Sequence, residues 1–154
     1  MIKLRFESVS QPVYMTTHAA GADLRARVPV ELAPGARAIV PTGVWIDSIE
    51  WDQVPSGLVP ELQIRARSGL AWKHGITLMN GVGTVDADYP DEIGVILWNT
   101  GTREFRIEAG ERVAQLVLAM TGRLPDAKLQ NSGFILGKTE GIRKGGFGST
   151  GQHQ

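Results

Sequence analysis

Leu58-Val59-Pro60-Glu61-Leu62-Gln63-Ile64-Arg65-Ala66-Arg67-Ser68-Gly69 is the stretch that decides the fold class. From Leu62 to Arg65 apolar and polar residues alternate, the two-residue period of a strand with one buried face. The run stops at Arg67-Ser68-Gly69, and a short helix is expected from near Ser68, an N-cap type of residue, to His74-Gly75. Outward from this segment similar short runs recur at 2–6, 23–30, 36–46, 76–80, 93–98, 103–107 and 112–120, and Phe105-Arg106-Ile107-Glu108 alternates in the same way. The 19 glycines and 8 prolines fall between these runs every few residues and leave no room for a long helix. Many short strands at near-regular spacing predict an all-β sandwich or barrel. Residues 47–57 read as a polar loop. Beyond residue 136 periodicity ends, and six glycines fall in the last 18 residues. The expected organisation is therefore a folded body over 1–136 and a mobile arm over 137–154.

The composition narrows the functional classes. A chain of 154 residues is most simply one domain, with room for a sizeable core. Sixteen basic residues balance sixteen acidic ones, so no excess of positive charge favours a nucleic-acid polymer as partner. With no cysteine, disulfides, thiolate metal sites and a cysteine nucleophile are excluded. No apolar run reaches membrane-spanning length, and Met1-Ile2-Lys3-Leu4-Arg5-Phe6 alternates like a strand rather than forming a signal-peptide core. The expectation is a cytoplasmic protein with no membrane partner.

Several segments carry residues suited to chemistry, each with a plainer alternative. Arg67-Ser68-Gly69 at a helix start can bind an anion through a guanidinium and main-chain N–H groups, or can be a simple cap beside a solvated arginine. Asp86 and Asp88 stand two apart, on one side if they lie on a strand; such a pair serves as metal ligands, a general base or a solvated turn. The run from Leu78 to Trp98 reads as a hairpin with its tip near 87–92, which brings Asn80 opposite residues near Gly94. Gly145-Gly146-Phe147-Gly148-Ser149-Thr150-Gly151 sets one aromatic ring among four glycines and two hydroxyls. It is either a floppy end or a segment that closes over a flat ligand and an anion. Ser132-Gly133-Phe134-Ile135-Leu136-Gly137-Lys138-Thr139 approaches a P-loop. It fails because Ser132 occupies the first glycine position and no alternation of strands and helices surrounds it.

Five segments together resemble the trimeric dUTPase family. They are Ala20-Gly21-Ala22-Asp23-Leu24, Arg67-Ser68-Gly69-Leu70-Ala71, Gly83-Thr84-Val85-Asp86-Ala87-Asp88-Tyr89, Gly110-Glu111-Arg112-Val113-Ala114-Gln115-Leu116 and the Phe147 tail. They occur in the family's order across nearly the whole chain. The resemblance implies a jelly-roll-like β-sandwich subunit in a homotrimer, and hydrolysis of dUTP to dUMP and pyrophosphate with Mg²⁺. It implies that Asp86 activates the attacking water, and that Arg67, Ser68 and Gly69 bind the phosphates. Asn80, with main-chain groups of Gly83, Thr84, Val85 and Gly94, would match the uracil edge. Tyr89 would pack on the deoxyribose and exclude a 2′-hydroxyl. Gln115 would support the substrate or the tyrosine, and Asp23 would hold magnesium through water. From the arm, Phe147 would cover the uracil, with Gly148, Ser149 and Thr150 beside the phosphates. The family's usual arginine position is Ile142 here, so the γ-phosphate contact is expected from Arg143 or from Lys144 beside it. Other departures are Pro90-Asp91 in place of Arg-Gly after the tyrosine and Ala66 in place of proline. A dCTP deaminase-like enzyme and a non-catalytic regulatory protein on the same fold are the alternatives.

Overall fold

The computed structural model describes residues 1–122 and Gly145. The expected arm, 137–154, lies outside the described residues apart from Gly145. Eleven strands and one α-helix follow in chain order among the described residues: β1 (Ile2–Phe6), β2 (Ala22–Arg25), β3 (Val30–Leu32), β4 (Arg37–Pro41), β5 (Val44–Ile49), β6 (Leu58–Ala66), α1 (Ser68–His74), β7 (Ile76–Leu78), β8 (Gly83–Asp86), β9 (Gly94–Asn99), β10 (Phe105–Ile107) and β11 (Arg112–Gly122).

The pairing is wholly antiparallel and mostly between strands distant in sequence. One sheet has the order β2-β11-β6-β8, a second β4-β9-β7, and two ribbons pair β1 with β5 and β3 with β10. This is the expected all-β sandwich of jelly-roll type. The alternation of β6 has the predicted consequence: Leu62 and Ile64 point into the core, while Glu61, Gln63 and Arg65 point outward. On the outer face Gln63 Nε2 donates to Glu61 at 2.7 Å and Arg65 Nη2 to Gln63 at 2.6 Å. Leu24, Leu32, Val40, Ile93, Leu97 and Ile107 are completely or almost completely buried and fill the space between the sheets.

Two expected strands are each broken in two. The run 36–46 turns at Thr42-Gly43. Gly43 has φ +67°, and a Cβ there would meet Ser10 Oγ at 2.5 Å, so the corner needs glycine. The run 23–30 ends at Arg25. Pro29 has no N–H to offer a ladder, and the next strand begins at Val30 in another ribbon. A third difference concerns 78–98. β7 does run back along β9, with Met79 N donating to Ile96 O at 2.9 Å. β8, however, leaves β9 and pairs with β6. The segment is a corner crossing between two sheets rather than one hairpin ladder. Ser68 is the first helical residue and Arg67 the cap, one position earlier than expected; Gly75, at φ +68°, closes the helix.

Asn99 is the polar pin of this sandwich. It is completely buried, donates to Leu32 O and Arg103 O at 2.8 Å each, and accepts from Gly101 N at 2.9 Å. Removing the amide leaves three backbone groups without that partner, of which Leu32 O is fully buried and the other two part-buried. Asn99→Ala is therefore expected to cost about 3 kcal/mol, read as a lower midpoint in denaturant titration with an unchanged slope.

Candidate active site

The candidate residues gather into two groups at opposite ends of the four-stranded sheet. The first forms where β2, β11 and the start of α1 meet. Asp23 on β2 pairs with Gln115 on β11, which in turn pairs with Arg65 on β6. Arg67, Ser68 and Gly69 follow directly at the end of β6. Asp23 is 3% exposed; its Oδ2 accepts from Arg112 Nη1 at 3.0 Å, and its Oδ1 lies 3.7 Å from Arg67 Nε. Arg67 Nη1 donates to Arg112 O at 2.9 Å. Ser68 and Gly69 are exposed, and a Cβ on Gly69 would meet nothing within 4 Å, so main-chain N–H groups there are open to a ligand. A cavity of about 510 Å³ opens beside them, lined in part by Arg25, Arg67, Arg106, Arg112 and His74. Four guanidiniums against one carboxylate, Glu111, leave this hollow net positive, and it attracts anions, above all those that can take bidentate bonds.

Arg112 is the residue that sequence reasoning missed. It belongs to a quoted segment, but as the first residue of a strand it reads as ordinary alternation. Only the β2–β11 pairing brings it to a carboxylate 89 positions away.

The second group lies where β8 ends. Asp86 is the last residue of β8, exposed on the sheet's outer face and level with Glu61 of β6. Asp88 lies beyond the strand, in the turn closed by Tyr89 N to Asp86 O at 3.0 Å. The two carboxylates therefore do not share a strand face, and Asp88 belongs to the turn. Tyr89 is buried to 8% exposure within the core, and its hydroxyl donates to Glu92 O at 3.4 Å. Pro90 and Asp91 are exposed. The tip is tied down behind them, because Glu92 accepts from Gly43 N at 2.6 Å and from Arg27 Nη2 at 3.0 Å. Asn80 follows β7, and the antiparallel register with β9 carries it towards Gly94, as expected. Gly83 is a close-approach glycine: a Cβ there would sit 3.2 Å from Asn80 Nδ2 and 3.3 Å from Ile64 Cβ. Thr84 faces outward and Val85 into the core, so Val85 has only main-chain groups to offer a ligand.

Within one chain the two groups lie far apart. β2 and β8 are the outer strands of the sheet, three strand spacings or about 14 Å apart. Asp23 is level with Arg65 and Asp86 with Glu61, a further four residues or about 13 Å along the strands. The diagonal is about 20 Å. Arg143, Phe147, Gly148, Ser149 and Thr150 lie outside the described residues.

The described residues of one chain do not by themselves build a magnesium site. Among the described residues no three His, Cys, Asp or Glu side chains come together. The expected role of Asp23 requires a carboxylate facing a hydrated hollow, whereas its two oxygens face two guanidiniums and its side chain is 4% exposed.

The sequence profile described as dUTPase matches residues 7–151 of this chain. A deoxyuridine 5′-triphosphate nucleotidohydrolase of Roseobacter denitrificans is 48% identical over 147 residues, covering 94% of this chain and 88% of the relative. One of Rhizobium meliloti is 45% identical over 149 residues, covering 94% and 85%. Among solved structures, the crystal structure of dUTPase from Streptococcus mutans superimposes with a TM-score of 0.68 at 28% identity, over 79% of this chain and 98% of that one.

Proposed function

Because the chain belongs to the dUTPase family, we infer that it hydrolyses dUTP to dUMP and pyrophosphate. The observation that carries the reading beyond the family match is the pairing of a guanidinium-lined hollow with a separate, exposed carboxylate at a sheet edge. In the proposed reaction Asp86 takes a proton from a water as its oxygen forms a bond to the α-phosphorus. The bond from that phosphorus to the bridging oxygen breaks on the opposite side, and pyrophosphate leaves with the electron pair. Arg67, with the open N–H groups at Ser68 and Gly69, would take up the charge growing on the leaving group. A cation carried by the triphosphate would be held by phosphate oxygens and water.

Arg67 stands six residues beyond Glu61, which is level with Asp86, or about 20 Å along the strand direction, and this separation favours a site whose Arg67 and Asp86 come from different copies of the chain. An exposed Asp86 on an open sheet edge also needs a neighbouring surface to exclude bulk water, and a second copy supplies one. A homotrimer in which one subunit provides the phosphate segments, another the pyrimidine corner and a third the arm with Arg143 and Phe147–Thr150 meets both needs. At the corner, Asn80 and main-chain groups of Gly83, Thr84, Val85 and Gly94 would face the uracil edge, which offers acceptor, donor and acceptor in turn. Cytosine would leave one of these groups unpaired, a strong basis for rejection. Tyr89 would lie under the deoxyribose, and Gln115 would support the phosphate side.

Gly83→Ala tests the corner. The new methyl must displace the Asn80 amide or Ile64, so KM for dUTP is expected to rise about tenfold, the equivalent of one misplaced hydrogen bond, with a smaller change in kcat. The reading as a whole is tested by release of pyrophosphate from dUTP against release of ammonia from dCTP. Ammonia release would assign the deaminase reaction, and neither product would assign a binding protein.

A further inference from the structure

We propose that Asp23 is a positioning residue that sets the two arginines of the anion hollow, and that it is not a ligand of metal-bound water. The proposal rests on the reading of Arg67 as a phosphate-binding residue. Three contacts make Asp23, Arg67 and Arg112 one unit: Arg112 Nη1 to Asp23 Oδ2 at 3.0 Å, Arg67 Nε beside Asp23 Oδ1 at 3.7 Å, and Arg67 Nη1 to Arg112 O at 2.9 Å. The carboxylate is sealed, its side chain 4% exposed, while the arginines are 24% and 36% exposed and line the 510 Å³ cavity. Charge therefore runs from a buried anion outward to two half-open cations, and the unit carries one net positive charge towards the hollow.

Each arginine is committed on the side facing Asp23. Among the described residues nothing else engages Arg67 Nη2 or Arg112 Nη2, so these donors remain for an incoming anion. Without the carboxylate the two guanidiniums repel each other at short range and no longer share a fixed spacing. A planar fork binds a phosphate well only when it is held in orientation beforehand. Asp23 is itself held in place, since its backbone exchanges hydrogen bonds with Val13: Asp23 N to Val13 O at 2.8 Å and Val13 N to Asp23 O at 3.4 Å. The loop before β2 thus fixes the backbone from which the carboxylate is presented to the two arginines.

The test is calorimetric binding of inorganic pyrophosphate to the full chain, once in EDTA and once in excess Mg²⁺. Asp23→Asn is expected to weaken binding about tenfold in both conditions, the loss of charge-assisted orientation, so that the ratio of the two affinities stays at the wild-type value. A ratio that collapses, with binding in EDTA unchanged, would overturn the proposal and make Asp23 the holder of metal-bound water. Should Asp23→Asn fail to fold, the double variant Asp23→Asn with Arg112→Gln removes a negative and a positive charge together and leaves no buried charge unpaired; the same ratio is read in it. Arg67→Met separates this question from the reading beneath it. Undiminished pyrophosphate binding in Arg67→Met would reject the phosphate site itself. Lost binding there, with Asp23→Asn binding like wild type, would reject only the positioning role.

Discussion

Asp86→Asn should lower kcat for dUTP by ~10² or more while the affinity for a non-hydrolysable analogue stays within a few-fold of wild type. The amide has nearly the shape of the carboxylate and still accepts a hydrogen bond, but it cannot take a proton from water. Asp86 is the terminal residue of β8, its strand held to β6 by the Glu61, Leu62, Gln63 and Ile64 register. That ladder holds its place on the sheet edge, and the isosteric substitution should leave the fold intact. The measurement is steady-state pyrophosphate release beside equilibrium binding. Turnover near that of wild type would remove Asp86 from the role of base.

A mixture of two inactive proteins should recover activity. Arg67→Met is expected to lose the phosphate end of the site and Asp86→Asn the water end. If one site takes Arg67 and Asp86 from different copies, trimers assembled at random from equal amounts contain about a quarter of sites with both groups intact, a consequence of closed rotational symmetry. If one chain held a whole site, every site would lack one group and mixing would restore nothing. Co-refolding, followed by pyrophosphate release and by light scattering for mass, separates the two cases. The distance within one chain decides the expectation, because Arg67 stands six residues, or about 20 Å, beyond the Glu61 that is level with Asp86.

The same comparison separates local from tertiary information. β1 and β6 have the bounds that alternation predicts, 2–6 and 58–66, because the two-residue period is a property of neighbouring residues alone. The short helix after Ala66 and its closure at Gly75 are legible for the same reason: a left-handed residue that ends a helix is nearly always glycine. The five family segments were likewise readable as strings, with Asp86, Arg67 and Asn80 within them.

What escaped the sequence depends on which strand pairs with which. Nothing in residues 83–86 says that this strand turns away from β9 to lie on β6. A strand's outward and inward pattern is the same whichever neighbour it has. Nothing near Gly43 says that its left-handed corner is packed against Ser10, or that Glu92 reaches across to hold it. Asp23, read alone, is a turn carboxylate or a metal partner. The fold buries it between guanidiniums drawn from β11 and from the start of α1 and makes it their shared partner, because burial and charge pairing are properties of the assembled chain. The chain's chemistry was thus written in local strings. The distances between its parts arise only when β2 and β8 are set at opposite edges of one sheet.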